Sequence, residues 1–297
     1  MPGGLPLPRL FCFGLGYSAL VFARAMKARG WEVAGTVRGA QKAAALRAEG
    51  FEMHLFADAP LADPESALAG TTHLLASVPP GPDGDPVLAM HGEDIRATPG
   101  IEWIGYLSTT GVYGDRDGGW VDEASPRLPS TERGQRRLEA ELGWSALGER
   151  AGAAVHLFRL AGIYGPGRNQ LKSLAEGTAR RIDKPGQVFS RIHVEDIATV
   201  LEAAATSGLG SRAFNVCDDE PAPPAEVVDY AAGLLGTDPP PLVPLEAAGL
   251  SAMGRSFYAE SKRVSNRAIR EVLGVRLRYP TYREGLTALA AAGEGRG

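Results

Sequence analysis

Only two cysteines, Cys12 and Cys217, occur in the 297-residue chain. Both lie inside apolar runs, so they read as small core residues of a reducing compartment and leave no disulfide pair or thiolate metal site. The five histidines are scattered without ligand spacing, and no metal is expected. No apolar stretch is long enough to span a bilayer, and Met1–Pro8 lacks the charged and apolar regions of a signal peptide. A soluble, cytoplasmic protein without a membrane partner is therefore expected. The net charge of −4 comes without a basic run, aromatic-basic interleaving or finger spacing, which argues against nucleic acid. No internal repeat is present. A chain of this length buries a substantial core, and one large domain with a smaller lobe is expected.

What the sequence does have is a glycine turn near its start. Leu10–Phe13 is a continuous apolar run, as in a parallel strand buried on both faces. It breaks at Gly14-Leu15-Gly16-Tyr17-Ser18-Ala19 and is followed by a helical run that stops at Gly30. Gly14 supplies the tight turn, Gly16 lets the backbone approach a pyrophosphate, and Ala19 is small enough for close packing of helix on strand. The amides from Gly16 through Tyr17 and Ser18 would face the phosphates at the positive end of the helix. The following strand, Glu32 to Arg38, ends without the acid that would accept the ribose 2′-hydroxyl of NAD. Arg38 can receive a 2′-phosphate instead, so NADP is favoured over NAD, with Lys42 and Thr36 as secondary phosphate ligands.

Helical and apolar segments then alternate. Strands are expected at 51–56, 72–78 and 101–108, with helices at 40–49 and 85–97 between them. Asp58 is placed to reach an adenine edge, with a turn-forming aspartate as the plain alternative. Ala76 and Ser77, small residues at a strand's carboxyl end, suit close passage of the cofactor. Ser108, Thr109 and Thr110 fall at another such end, where a hydroxyl can orient a carbonyl. A helix is expected over 130–150, a strand at 153–160, a helix over 193–205 and a strand at 213–217. The alternation points to an α/β fold, a doubly wound parallel sheet with a small, mostly helical C-terminal lobe.

Four landmarks carry a resemblance: Ser108-Thr109-Thr110-Gly111-Val112-Tyr113-Gly114; Glu123 and Pro129; Arg159 to Gly167; and Ile192-His193-Val194-Glu195-Asp196-Ile197-Ala198. In this order they are similar to the extended short-chain dehydrogenases/reductases, the NAD(P)-dependent epimerase/dehydratase-like family, from the glycine turn to a Ser261-Lys262-Arg263 helix and Leu273-Gly274. The resemblance implies a Rossmann-type sheet over 1–166, completed by about 190–217, and a substrate-binding lobe from 167–189 and 218–297. It also implies a Tyr-x-x-x-Lys pair after Pro129. Here Arg133 and Arg137 stand at those positions, and arginine does not give up its proton. The family's usual acid-base path, worth roughly 10² to 10⁴ in rate, is thereby missing. Thr110-Gly111 replaces the acid pair of the dehydratases. Phe189 replaces the arginine with which sugar-nucleotide epimerases hold pyrophosphate, although Arg191 is close by.

An atypical NADP-dependent oxidoreductase acting on a small-molecule carbonyl or hydroxyl is the reading that follows. Thr109 orients the carbonyl, Arg137 holds the ribose, and Tyr164, Tyr113 or a water supplies the proton. Two alternatives stay open: a dinucleotide-sensing protein that has lost its chemistry, and an epimerase with a relocated acid. Asn169, Lys172, Arg180, Arg181 and Arg191 are placed to line an anionic substrate site, and Gly254 to Tyr258 to contact substrate. His193 reads as structural, and the Ala- and Gly-rich end as frayed.

Overall fold

In the computed structural model, which describes residues 8–296, every residue of the first strand, β1 (Arg9–Phe13), is buried. Arg9 opens that strand with its charge satisfied. Its guanidinium donates to the Ala67 carbonyl (3.0 Å), the Thr71 hydroxyl (2.8 Å) and the Glu52 carboxylate (2.8 Å).

Helix and strand then alternate as the hydrophobic pattern requires: α1 (Tyr17–Ala28), β2 (Glu32–Val37), α2 (Ala40–Ala48), β3 (Glu52–Leu55), α3 (Pro64–Leu68), β4 (His73–Ala76), α4 (Pro86–Ala97) and β5 (Trp103–Thr109). A single tight turn (Thr110–Tyr113) and β6 (Trp120–Val121) lead to α5 (Glu132–Ala151), β7 (Ala154–Leu160), β8 (Gly162–Tyr164), α6 (Gln170–Ala175) and β9 (Arg181–Asp183). Next come β10 (Arg191–His193), α7 (Val194–Ala205), β11 (Arg212–Val216), α8 (Pro224–Leu235), β12 (Leu242–Pro244), α9 (Ala252–Tyr258), β13 (Arg263–Val264), α10 (Arg267–Glu271) and α11 (Tyr282–Ala291).

Seven strands form the main sheet in the order β11-β7-β5-β4-β1-β2-β3. β1 pairs in parallel with β2 and β4, β2 with β3, and β4 with β5. The chain therefore steps outward from β1 to β3 and resumes on the other flank of β1 at β4. This is the doubly wound, Rossmann-type sheet expected from the alternation, and the order reverses between β1 and β4, the usual place for a ligand in such sheets.

Two compact units share the chain. One takes residues up to Ser108 with Gln135–Phe158 and Ala198–Phe214; the other takes Thr109–Gly134, Arg159–Ile197 and the chain from Asn215. The first unit centres on Phe11, Phe13, Leu74, Ile104, Tyr106 and Trp144. In the second, Tyr164, Leu171, Val227, Tyr282 and Leu286 form a separate core, and from α8 onward four helices, α8 to α11, are interspersed with the short strands β12 and β13.

Two local expectations are corrected. Ser261-Lys262-Arg263 is not helical. The Ser261 amide donates to Asp115 Oδ1 (2.7 Å) and its carbonyl accepts from the Arg116 and Gly118 amides (3.0 Å each), so these backbone groups are taken by a distant loop rather than by a helical turn. β13 begins at Arg263 itself and pairs with β6. Nor is the Ala- and Gly-rich segment loose as far as Glu294, whose carboxylate accepts from the Gly167 amide (2.9 Å) and Asn169 Nδ2 (2.7 Å). Among the described residues, no helix is long and apolar enough to cross a membrane, and no group of His, Cys, Asp or Glu could hold a metal ion. Cys12 and Cys217 are buried free thiols.

Candidate functional site

Gly14, immediately after β1, has φ +89°, a conformation that L side chains rarely adopt. A Cβ there would lie 3.0 Å from both Ser77 Oγ and Val78 Cγ2. The turn is tied on both sides. The Gly14 amide donates to Thr36 Oγ1 and the Leu15 amide to the Thr36 carbonyl, both at 2.8 Å, while the Ser77 hydroxyl donates to the Gly14 carbonyl. Ala76, buried, ends β4 beside it. The glycine turn is thus pinned at the reversal of strand order.

At Gly16 the situation is opposite, for a Cβ would meet nothing within 4 Å. No side chain caps α1, so the leading amides of a 12-residue helix are left for an external acceptor, and the helix dipole favours an anion there. Ser18 and Ala19 are buried against the strand side, whereas Tyr17 is exposed. Lys42 Nζ donates to the Leu15 carbonyl at 2.7 Å, and Thr36 holds Gly14, so both secondary phosphate candidates brace the turn. Arg38 stands exposed just after β2, and Asp58 exposed just after β3.

Two residues of this region were passed over in the sequence. A Cβ on Gly35 would lie 2.8 Å from the Cys12 carbonyl oxygen, so β2 approaches the turn only as glycine; a glycine inside an apolar strand is the signal for such an approach. His91, buried in α4, accepts the Leu61 amide on Nε2 (3.1 Å) and faces Asp94 Oδ2 with Nδ1 (2.8 Å). An N–H donor on Nε2 puts the imidazole proton on Nδ1, and the ring, stacked on Phe13, anchors the loop after β3.

At the carboxyl end of β5, the Arg137 guanidinium donates to the Leu107 carbonyl and lies over the Tyr106 ring, 5.9 Å from its centre. Ser108 donates to the fully buried Glu141 carboxylate at 2.7 Å. The sequence reading missed Glu141, although a carboxylate one helical turn past Arg137 could have been noticed. Asp85 caps α4 by accepting from the Val87 and Leu88 amides (2.9 and 3.1 Å) and accepts the Trp144 indole N–H (2.9 Å). Burial raises its carboxyl above the usual range.

The second unit holds the other candidates. Thr109 Oγ1 accepts the Gly111 amide at 3.1 Å, which leaves its own hydrogen to donate. Tyr113 is fully buried: its hydroxyl donates to Asn215 Oδ1 (2.7 Å) and accepts from Arg159 Nη1 (2.9 Å). Burial pushes that phenol up to about 12. Glu123 completes the brace, its carbonyl accepting from Arg159 (3.3 Å) and its carboxylate from the Asn215 amide (2.7 Å). Tyr164 is buried too, with its hydroxyl 3.4 Å from the Thr281 carbonyl and its ring edge-on to His193. Burial, then the Asp218 and Asp196 charges, hold its phenol far above the ordinary value.

Arg133 is exposed, its guanidinium 5.5 Å from the Phe257 ring centre. Much of the basic stretch is hydrogen-bonded within the chain. Asn169 caps α6, Arg181 bonds Asp229 (2.9 Å), and Arg180 donates to the Thr178 and Ala179 carbonyls (3.2 Å each). Arg191 donates to the Phe189 and Ala222 carbonyls (2.9 and 3.2 Å) and so holds the bridge between those two residues. His193 is buried between Tyr164 and Tyr279 and accepts the Glu195 amide (3.3 Å); burial depresses its pKa to about 4.

Models of known protein families give no match to this chain. It is 32% identical to Protein YeeZ of Escherichia coli (strain K12) over 238 residues, which cover 76% of this chain and 84% of that protein. The structure of a functionally unknown conserved protein from Silicibacter pomeroyi is 50% identical, spans 97% of this chain and 99% of its own, and superposes with a TM-score of 0.87. The fold is shared further afield by UDP-glucose 4-epimerase of Thermus thermophilus, solved in complex with NAD, at 20% identity, 97% and 100% coverage and a TM-score of 0.76. Its Rossmann-type sheet is therefore the one found in epimerase/dehydratase-like proteins that bind NAD, and at this identity over this length the chain belongs to the family of Escherichia coli YeeZ.

Proposed function

We propose that this chain is an NADP(H)-dependent oxidoreductase acting on a small carbonyl or hydroxyl compound. One observation carries the reading: a glycine turn pinned between β2 and β4, opening onto an uncapped helix, with an exposed arginine rather than an acid after β2. The NAD complex of the Thermus enzyme, on the same fold, supports a nicotinamide dinucleotide in this position. Gly14, Gly16 and the amides of Tyr17, Ser18 and Ala19 would take the pyrophosphate, Arg38 the 2′-phosphate and Asp58 the adenine edge. Ala76 and Ser77 would flank the cofactor's path, and Arg137 would hold the nicotinamide ribose.

When bound, NADPH supplies a hydride. The chain's own part is to orient and polarise. Thr109, whose hydroxyl hydrogen is not spent on Gly111, donates to the carbonyl oxygen of the substrate. Arg133 holds a fixed positive charge and no transferable proton, and burial holds the phenols of Tyr113 and Tyr164 well above their ordinary value, so the proton comes from water. A second reading, a dinucleotide-binding protein without turnover, is favoured by the brace on Tyr113, whose hydroxyl is committed to Asn215 and Arg159.

Fluorescence titration separates the cofactors. NADPH is expected to bind at least about tenfold more tightly than NADH, and Arg38→Ala to remove that margin while leaving NADH binding alone, as loss of a charge-assisted contact implies. A preference for NADH overturns the assignment. NADPH oxidation across a carbonyl panel, run beside an Arg133→Tyr variant, then distinguishes turnover from binding alone.

A further inference from the structure

We infer that His91 is a positioning residue for the cofactor: through the Leu61 amide it sets the loop that presents Asp58 to the amino group of adenine. This rests on the dinucleotide reading above and adds a residue to that same site.

After β3, residues 57–60 are exposed and run between two buried ones, Phe56 and Leu61. Phe56 is tied to the sheet, its amide donating to the Val37 carbonyl at 3.1 Å. At the far end the Leu61 amide donates to His91 Nε2, also at 3.1 Å. The course of residues 57–60, and with it the place of the Asp58 carboxylate, is set by these two anchors. The same imidazole reaches the glycine turn. Its ring stacks on Phe13, the residue before Gly14, with centres 5.5 Å apart and planes at 26°, and lies 5.4 Å from the Phe56 ring. Phe13 and Phe56 meet edge to face at 5.7 Å. One fully buried ring thereby holds the end of β1, where the pyrophosphate would rest, against the loop that would meet the adenine.

Packing alone does not call for histidine there. A leucine or phenylalanine would fill the space between the two aromatic rings, but it would leave the Leu61 N–H buried without an acceptor. The acceptor must also be one particular tautomer. Asp94, partly exposed on the same helix, takes the Nδ1 proton at 2.8 Å and so keeps Nε2 bare for the amide. Asp94, His91 and Leu61 form a chain of directional bonds from the surface of α4 to the loop. A directional bond fixes a loop where apolar contact alone would let it slide.

Deamino-NADPH is the probe, because it differs from NADPH only in its purine, where a carbonyl oxygen takes the place of the adenine amino group. Both are titrated by nicotinamide fluorescence against the full chain. NADPH is expected to bind at least about tenfold more tightly, the scale of a hydrogen bond to a carboxylate. Asp58→Ala should erase that ratio. His91→Leu should cut it to about threefold or less, and His91→Gln, whose Oε1 can accept the Leu61 amide, should restore it. A merely structural role would lower both affinities together and leave their ratio alone. Should His91→Leu fail to fold, Asp94→Ala gives the same information from a partly exposed position. It frees the imidazole proton to move to Nε2, where it opposes the Leu61 amide, and the ratio is expected to fall at least about twofold. A ratio near one in the unaltered protein overturns the inference, as does a ratio that the His91→Leu or Asp94→Ala variant leaves intact. Either result, obtained with NADPH bound, removes the role of His91 and leaves the cofactor reading standing; no binding of either dinucleotide removes both.

Discussion

A methyl group added at Gly14 meets two penalties at once, a left-handed backbone and contacts of 3.0 Å with Ser77 and Val78. Gly14→Ala is expected to cost about 2–3 kcal/mol of stability, read as a lowered Tm, and to reduce NADPH affinity more than tenfold. A Gly16→Ala variant, with open space at the Cβ, should keep its stability, so the pair separates folding from binding. The place of the glycine turn between β1 and α1 was legible because a strand, a turn and a helix announce themselves locally. The engagement of Tyr113 was not, since its partners Asn215 and Arg159 lie 102 and 46 residues away. Glu141 escaped for a related reason: only the fold reveals that it faces Ser108, 33 residues before it.

Among the elements, α11 shows how a helix can be shaped around one side chain. A Cβ on Gly285 would fall 2.1 Å from the Tyr164 hydroxyl oxygen, and Tyr164 ends β8 within the same buried cluster. Gly285→Ala should destabilise the protein by about 1–3 kcal/mol in urea unfolding, with partial recovery when Tyr164→Phe is added; no interaction between the two substitutions would refute the contact. Hydrophobic period placed nearly every strand of the main sheet to within a few residues. The family resemblance failed at Ser261-Lys262-Arg263, where Asp115, Arg116 and Gly118 claim the backbone from about 145 positions earlier. A likeness in motif order cannot show a backbone partner at that separation.

Over the whole molecule, several histidines are folded in neutral form. Burial depresses the His193 pKa to about 4 from the 6.5 of an unburied imidazole, and lowers those of His73 and His156 as well. A depressed native pKa means that the unfolded chain takes up the proton first. The His193 contribution is therefore intact above pH 6.5 and is lost as pH falls from 6.5 toward 4, by about 3 kcal/mol. Asp218 and Asp196, raised by burial, act in the other direction, favouring the fold at low pH and losing that contribution as pH rises. Urea midpoints at pH 7.5 and 4.5 should differ less in His193→Gln than in the unaltered protein; an unchanged difference removes His193 from this account.

The two compact units are threaded through one another along the chain, each assembled from three separate stretches. No contiguous stretch of gene encodes either half alone. Joining an end fragment of this chain to one from a relative would therefore cut across both bodies and leave each of them incomplete.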